Sequence, residues 1–239
     1  MNKFREHGVH TIEQVAHADA SELARNTDTQ KKTVERHKLQ AEALVTGKHT
    51  FRHPAIFPDT TKEIFFDIEG DPLRQLEYLF GVLVREGSHE EYVSFIAEDP
   101  KDEEKMWRAF LEWITELPQS YVVYHYGNYE MVRLEILAKR YGDNKALEKF
   151  KSAMIDLAET VKDTVVFPLY FYSIKDIGNY IGYKRSKKIK SGGDSIGFYE
   201  DWLKDGDRKK LQAVIEYNED DVIATRALKD WLAKESPKP

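Results

Sequence analysis

Apolar positions change their rhythm twice along the chain, and each change predicts a different kind of element. Over the first fifty residues they are sparse and helically spaced. Thr11 precedes Gln14 by three residues, and Asp19 precedes Glu22 in the same way, so each sets a capping side chain before a short helix. A longer, polar-rich helix is expected from Thr29 to Val45, ending at Gly47. Residues 51–61 hold Pro54 and Pro58, show no periodicity, and read as a linker. From Lys62 the pattern becomes that of strands. KEIFFDI (62–68), EYLFGVLV (77–84) and the run from Glu91 to Ala97 are rich in β-formers, and a Gly87-Ser88 turn separates the last two. They predict a three-stranded antiparallel meander. An amphipathic helix follows, with Met106, Phe110, Trp113, Ile114 and Leu117 at helical spacing. Then come the short apolar strand YVVYH (121–125) and a helix from about Asn128 bearing Met131, Leu134 and Leu137. The remainder is mostly helical and closes with a long segment from Arg208 to about Ala233.

Composition narrows the class. A chain of 239 residues, 41% hydrophobic, can bury one α/β core and carry a small appendage, which excludes disorder. No apolar run reaches the roughly 18 residues of a membrane span. The start, MNKFREHGVH, lacks an apolar signal core, and there are no cysteines, so disulfides and thiolate metal sites are excluded and a cytoplasmic location is expected. The net charge of -6 means that any contact with nucleic acid must come from local clusters or from metal ions held by carboxylates. The one basic run, KRSKKIK (184–190), leads into SGGDS and reads as a mobile loop.

Three places carry chemistry. Asp67 and Glu69 stand at i and i+2 at the end of an apolar strand, so both side chains point to one face of the sheet. Two like charges there repel, and burial worsens the repulsion; a divalent cation offsets it, and an oxygen-only pair suits magnesium or manganese. The plainer reading is a pair of exposed carboxylates at a strand end. Glu130 opens a helix after YHYGNY, either as a further ligand from a second element or as a carboxylate favoured by the helix dipole. Tyr217 and Asp221, in YNEDDV, lie one helical turn apart on one face, at the edge of the stripe formed by Val214, Ile215, Val222, Thr225 and Leu228. Asp220 and Glu219 point elsewhere and read as solvated charge.

Taken together, D-x-E on the first strand, an acidic residue opening a helix after the fourth strand, and Y-x-x-x-D on a late helix resemble the tyrosine subclass of the DEDD (DnaQ-like) 3′–5′ exonuclease superfamily. The likeness spans about Lys62 to Trp231. FFDIEGDP, YHYGNYE, IDLA (155–158), YSIKDIGNYIG (172–182) and YNEDDV resemble more narrowly the ribonuclease H-like domains at the C-terminus of predicted RecB-family and helicase-associated nucleases. The resemblance implies an α/β fold: a mixed five-stranded sheet with helices on both faces, spanning 62–236, behind a small helical segment at 1–50 that is either a helix-hairpin-helix-like grip on phosphates or a docking segment. It implies two-metal hydrolysis of phosphodiesters, with two Mg2+ or Mn2+ ions as cofactor. In that scheme Asp67 bridges both ions, Glu69 and Asp221 complete the site of the one that activates water, Glu130 serves the other, and Tyr217 orients the attacking water. Glu130 departs from the superfamily's usual aspartate, which bears on rate more than on fold. Implied partners are 3′ ends of single-stranded DNA or RNA, DNA favoured, and an upstream nuclease or helicase domain. Expected contacts to the strand are His125, Tyr126, Lys175, Lys184, Arg185, Lys187 and Lys188, with Tyr129, Phe171 and Tyr172 as stacking candidates. Two other readings stay open: a non-catalytic end-binding module and a structure-selective endonuclease.

Overall fold

The computed structural model describes residues 2–185 and 191–238. The elements run α1 (Asn2–Glu6), α2 (Ile12–His17), α3 (Ala20–Thr27), α4 (Lys31–Thr46), β1 (Thr50–Phe51), β2 (Lys62–Asp71), β3 (Leu76–Glu86), β4 (His89–Ile96), α5 (Glu103–Thr115), β5 (Val122–His125), α6 (Tyr129–Tyr141), α7 (Lys145–Ser152), β6 (Met154–Asp156), α8 (Leu157–Thr164), β7 (Val165–Val166), α9 (Ile174–Tyr180), α10 (Gly192–Asp205) and α11 (Arg208–Glu235). No described helix is long and apolar enough to cross a membrane.

Five strands form one mixed sheet in the order β4-β3-β2-β5-β6. The meander β2-β3-β4 is antiparallel, while β5 and β6 run parallel to β2. Alternation along β2 assigns the two faces. Ile64, Phe66 and Ile68 pack with Met106, Phe110 and Ile114 of α5, Leu134 of α6 and Phe150 of α7. Phe65, on the opposite face, packs with Leu157 and Val161 of α8, Ile177 of α9 and Val222 and Leu228 of α11. The sheet is thus covered on both faces, as expected. Periodicity does not reveal the fifth strand, because β6 is only three residues long and lies between two helices.

The N-terminal helices follow their caps. Thr11 and Gln14 form a reciprocal capping box, Asp19 caps α3 by accepting from Glu22 N, and α4 ends at Gly47 in a left-handed conformation. Leu23, Ala24 and Val34 give the segment a small core.

One sequence expectation gains detail and another is corrected. The stretch read as a linker is docked at its start: β1 pairs with β7, Phe51 stacks on Trp231 of α11 at 5.6 Å, and Arg52 N donates to Thr164 O at 2.7 Å. Its prolines break periodicity without freeing the chain. SGGDS is not loop: Ser191 caps α10 by accepting from Asp194 N, and Gly192 begins the helix. A serine three residues before an aspartate is a start signal strong enough to carry two glycines into a helix.

One position sets how closely α11 approaches the sheet. Gly81 of β3 lies opposite Asp67 of β2, and a Cβ on it would stand 1.4 Å from Oδ1 of Asn218 on α11. Alanine suits a strand interior better than glycine by about 0.5–1 kcal/mol. Here the sign reverses: Gly81→Ala is expected to destabilise the fold by about 1–3 kcal/mol through overpacking. Urea denaturation checks this, and a gain in stability would show that α11 can stand further off.

Candidate active site

β2 enters the site as an apolar strand that turns acidic on one face. Asp67 and Glu69 follow Phe65 on the side covered by α11, and the register shifts between Glu69 and Gly70, ending the regular ladder there. α11 supplies the third carboxylate. Tyr217, Asn218 and Asp221 fall on its buried face, with Tyr217 and Asp221 each 8% exposed. One carboxylate oxygen each from Asp67, Glu69 and Asp221 lies within 4.8 Å of the others.

Such a cluster is electrostatically unfavourable, and the surrounding groups show how the fold tolerates it. Burial, then the charges of Glu69 and Glu130, hold the Asp67 carboxyl well above the usual carboxylate range; Arg185 and Asn218 pull the other way. Asn218 Nδ2 donates to Asp67 Oδ2 at 2.7 Å, and the Tyr92 hydroxyl orients the amide by donating to its Oδ1 at 2.8 Å. Burial pushes Glu69 up to about 8, against a hydrogen bond from Ser195 and the charge of Arg185. Ser195 is fully buried on α10, and the Tyr78 hydroxyl 3.0 Å away can donate to it while it donates to Glu69. The Arg185 guanidinium pairs with Asp221 and lies over the Tyr217 ring, 5.7 Å from its centroid. Burial and the charge of Glu69 push the Tyr217 phenol up to about 12, so it keeps its proton at neutral pH.

Glu130 takes a different place. It opens α6, is 3% exposed, and its Oε2 lies 3.3 Å from Nδ1 of buried His125. Burial raises its carboxyl, and His125 partly offsets this. It acts on Asp67 and Glu69 by charge but stands outside the group of three. The turn between His125 and Glu130 is fixed by Asp156, whose Oδ1 accepts from Gly127 N at 2.8 Å and Ala158 N at 2.7 Å. Gly127 has φ +94°, a conformation that favours glycine. Next to Glu130, Tyr129 donates to Glu77 at 3.0 Å, and Glu77 pairs with Arg133.

The structure therefore brings together Asp67, Glu69, Tyr217, Asp221 and Arg185, with Glu130 and His125 as an adjoining pair. Tyr126 is part-buried, its hydroxyl donating to the Tyr172 carbonyl. Lys184 and Lys175 are exposed; Lys187 and Lys188 lie outside the described residues. Asp220 corrects the expectation of a solvated charge: it is 3% exposed and accepts from the Tyr183 hydroxyl at 2.7 Å. Sequence reading missed Asn218, Ser195, Gly81 and Asp156. Asn218 had a signal, being three residues before Asp221 on the same helix face. Ser195 had none, because its partner Glu69 is remote in the chain.

The donor set fits a hard divalent cation: three converging carboxylates, no softer ligand grouped with them among the described residues, and protonation favoured when positive charge is lacking. The neutral forms of Asp67 and Glu69 are favoured by folding. Their contribution to stability is full below the ordinary glutamate value of 4.5 and is lost as pH rises through about 8. Chelator-treated protein is accordingly expected to melt at lower temperature at about pH 8 than at about pH 5. Mn2+ is expected to raise the melting temperature more at the higher pH. Calorimetry checks both, and a melting temperature indifferent to pH and to Mn2+ would show that the cluster holds no cation.

No individually curated protein matches the chain. The family profile described as the RNase H superfamily matches residues 64–233, which include all three clustered carboxylates, Glu130 and Tyr217 and leave the N-terminal helices outside. The chain belongs to the RNase H superfamily.

Proposed function

We propose that the chain is a divalent-metal-dependent 3′–5′ exonuclease acting on single-stranded nucleic acid, DNA favoured. The observation that carries this reading is the convergence of Asp67, Glu69 and Asp221 within 4.8 Å, drawn from a strand end and a helix of one nuclease-type fold. Asp67, Glu69 and Asp221 would hold one Mg2+ or Mn2+ ion, and Glu130 would serve a second. Bound there, the two ions supply charge stabilisation on the attacking and leaving oxygens of the phosphodiester.

The chain's own groups set the positions. Asn218 fixes the Asp67 carboxylate and Ser195 the Glu69 carboxylate, so the ligands need little rearrangement. Tyr217 presents its hydroxyl beside them and orients the attacking water. Arg185, which pairs with Asp221, is the cation that would meet a substrate phosphate there. His125 holds Glu130.

A second reading, a catalytically weak end-binding module, is favoured by the seating of Glu130 against His125, away from the group of three. In either case the domain is proposed to work beside an upstream nuclease or helicase domain.

With 5′-labelled single-stranded and duplex DNA and RNA in Mg2+ or Mn2+, a stepwise ladder is expected on the preferred strand. Asp67→Ala is expected to reduce it to background while the protein stays folded. Tyr217→Phe is expected to slow it by about 10- to 100-fold, since it removes only a positioning hydroxyl. Cleavage of circular strands would replace the exonuclease reading with an endonuclease. Metal-dependent stabilisation without product from any substrate would favour the binding module.

A further inference from the structure

Two large rings stand out of the surface on one loop. Tyr170 and Phe171, consecutive between β7 and α9, are 75% and 77% exposed. Single exposed apolar residues need no explanation, but these sit on a loop that is clipped in place. The Tyr172 hydroxyl accepts from Phe167 N at 2.7 Å and donates to Gln40 Oε1 of α4 at 2.8 Å. Gln40 Nε2 donates in turn to the carbonyls of Phe167 and Leu169, at 2.9 and 3.1 Å. The Tyr172 carbonyl accepts from Tyr126, the residue after His125. The loop is therefore tied both to the end of β5, where His125 and Glu130 meet, and to the N-terminal helices. Its rings are presented rather than left over.

The charges beside it are mixed, with cations in excess on α4. On α4, Glu35 and Glu42 pair with Lys31 and Lys38 at 3.8 Å. Lys32 and Arg36, both exposed, have no carboxylate partner among the described residues, and they line one hollow of about 260 Å³ with Arg52 and with Glu35, whose charge Lys31 meets. Arg52 Nε is buried without an acceptor among the described residues. Arg52 also lies close enough to Tyr172 for its charge to act on that phenol. On the other side of Gln40, Tyr170 lines a second, largely apolar hollow of about 390 Å³ with Phe4, Val15 and Leu44, edged by Lys3 and His37. In a chain of net charge -6, unpartnered cations on a helix that is hydrogen-bonded to a loop with two exposed rings are a local departure. Rings for π-faces and cations for phosphates are what a single strand needs, and a polar protein partner would not need the rings.

We propose that Tyr170 and Phe171 form a base-stacking platform for a single strand whose 3′ end lies in the carboxylate site. Lys32, Arg36 and Arg52 hold phosphates further along that strand, so the N-terminal helices are part of the substrate track. This inference rests on the phosphodiesterase reading of the carboxylate cluster and names how that site takes its substrate.

The test is anisotropy of 5′-fluorescein-labelled dT20, measured in an Asp67→Ala background so that the strand stays intact. Tyr170→Ala/Phe171→Ala is expected to weaken dT20 binding by about 10- to 100-fold, and Tyr170→Phe/Phe171→Tyr, which keeps both rings, to restore it. Lys32→Ala/Arg36→Ala is expected to flatten the slope of log affinity against log salt by about 1.4, at about 0.7 per phosphate. Turnover of the p-nitrophenyl ester of thymidine 5′-phosphate in Mn2+, too short a substrate to reach the loop, is expected to be unchanged by either pair of substitutions when Asp67 is intact. Unaltered dT20 affinity in the alanine pair overturns the platform. So does an equal loss of ester turnover, because the rings would then support the site rather than the strand. Ester turnover that is absent, or indifferent to Asp67→Ala, sinks the phosphodiesterase reading instead, and ring-dependent dT20 binding would leave the platform standing.

Discussion

Repulsion among three carboxylates under a helix is the constraint to which the rest of the site answers. Asp67 and Glu69 share a face because a strand alternates, and Asp221 joins them because α11 crosses that face closely. The approach is possible because β3 offers Gly81 where any side chain would strike Asn218. The same contact lets Asn218 reach Asp67. Close packing and carboxylate placement are therefore one event, and neither can be relaxed without the other. Around it the fold sets neutral donors, Asn218 and Ser195, against two of the charges and the cation Arg185 against the third. Neutral donors orient a carboxylate without satisfying its charge, which keeps the cluster ready for a stronger cation.

Much of this was legible from local spacing. The i, i+2 relation of Asp67 and Glu69 and the i, i+4 relation of Tyr217 and Asp221 are geometric facts of strand and helix, and the structure keeps both pairs on one face. The long periodic segments, β2, β3, α5 and α11, appear close to where their apolar rhythm places them. What stayed hidden was short or non-local. β6 has three residues and no room for a period, yet its last residue, Asp156, fixes the turn that carries Glu130. Asp220 reads as solvated because its partner, Tyr183, lies far back in the chain. Prolines and absent periodicity read as a linker at 51–61, and spacing gives no sign that its first residue pairs with β7.

The distribution of charge follows the same division between local and global. The acidic total reflects a surface that would repel a polyanion, while α4 sorts its charges so that its two glutamates are occupied and Lys32 and Arg36 are not. Gln40 on that helix reaches three partners in a loop more than a hundred residues away, which makes the N-terminal segment structurally continuous with the loop between β7 and α9.

The long last helix acts as a ruler. Its 28 residues span about 42 Å at about 1.5 Å each. Its first half is seated by Leu211 and Val214 against Tyr78 and Tyr199, its second by Val222, Leu228 and Leu232 against Phe65 and Tyr124. Tyr217, Asn218 and Asp221 lie between those anchors. A one-residue insertion in this short interval would turn the two halves against each other by about 100°. One of the anchored faces would then leave its bed, or the carboxylate would leave its neighbours. Substitutions along the helix can be absorbed one at a time, whereas a change of length at its middle cannot, so this helix fixes the phase of the whole domain.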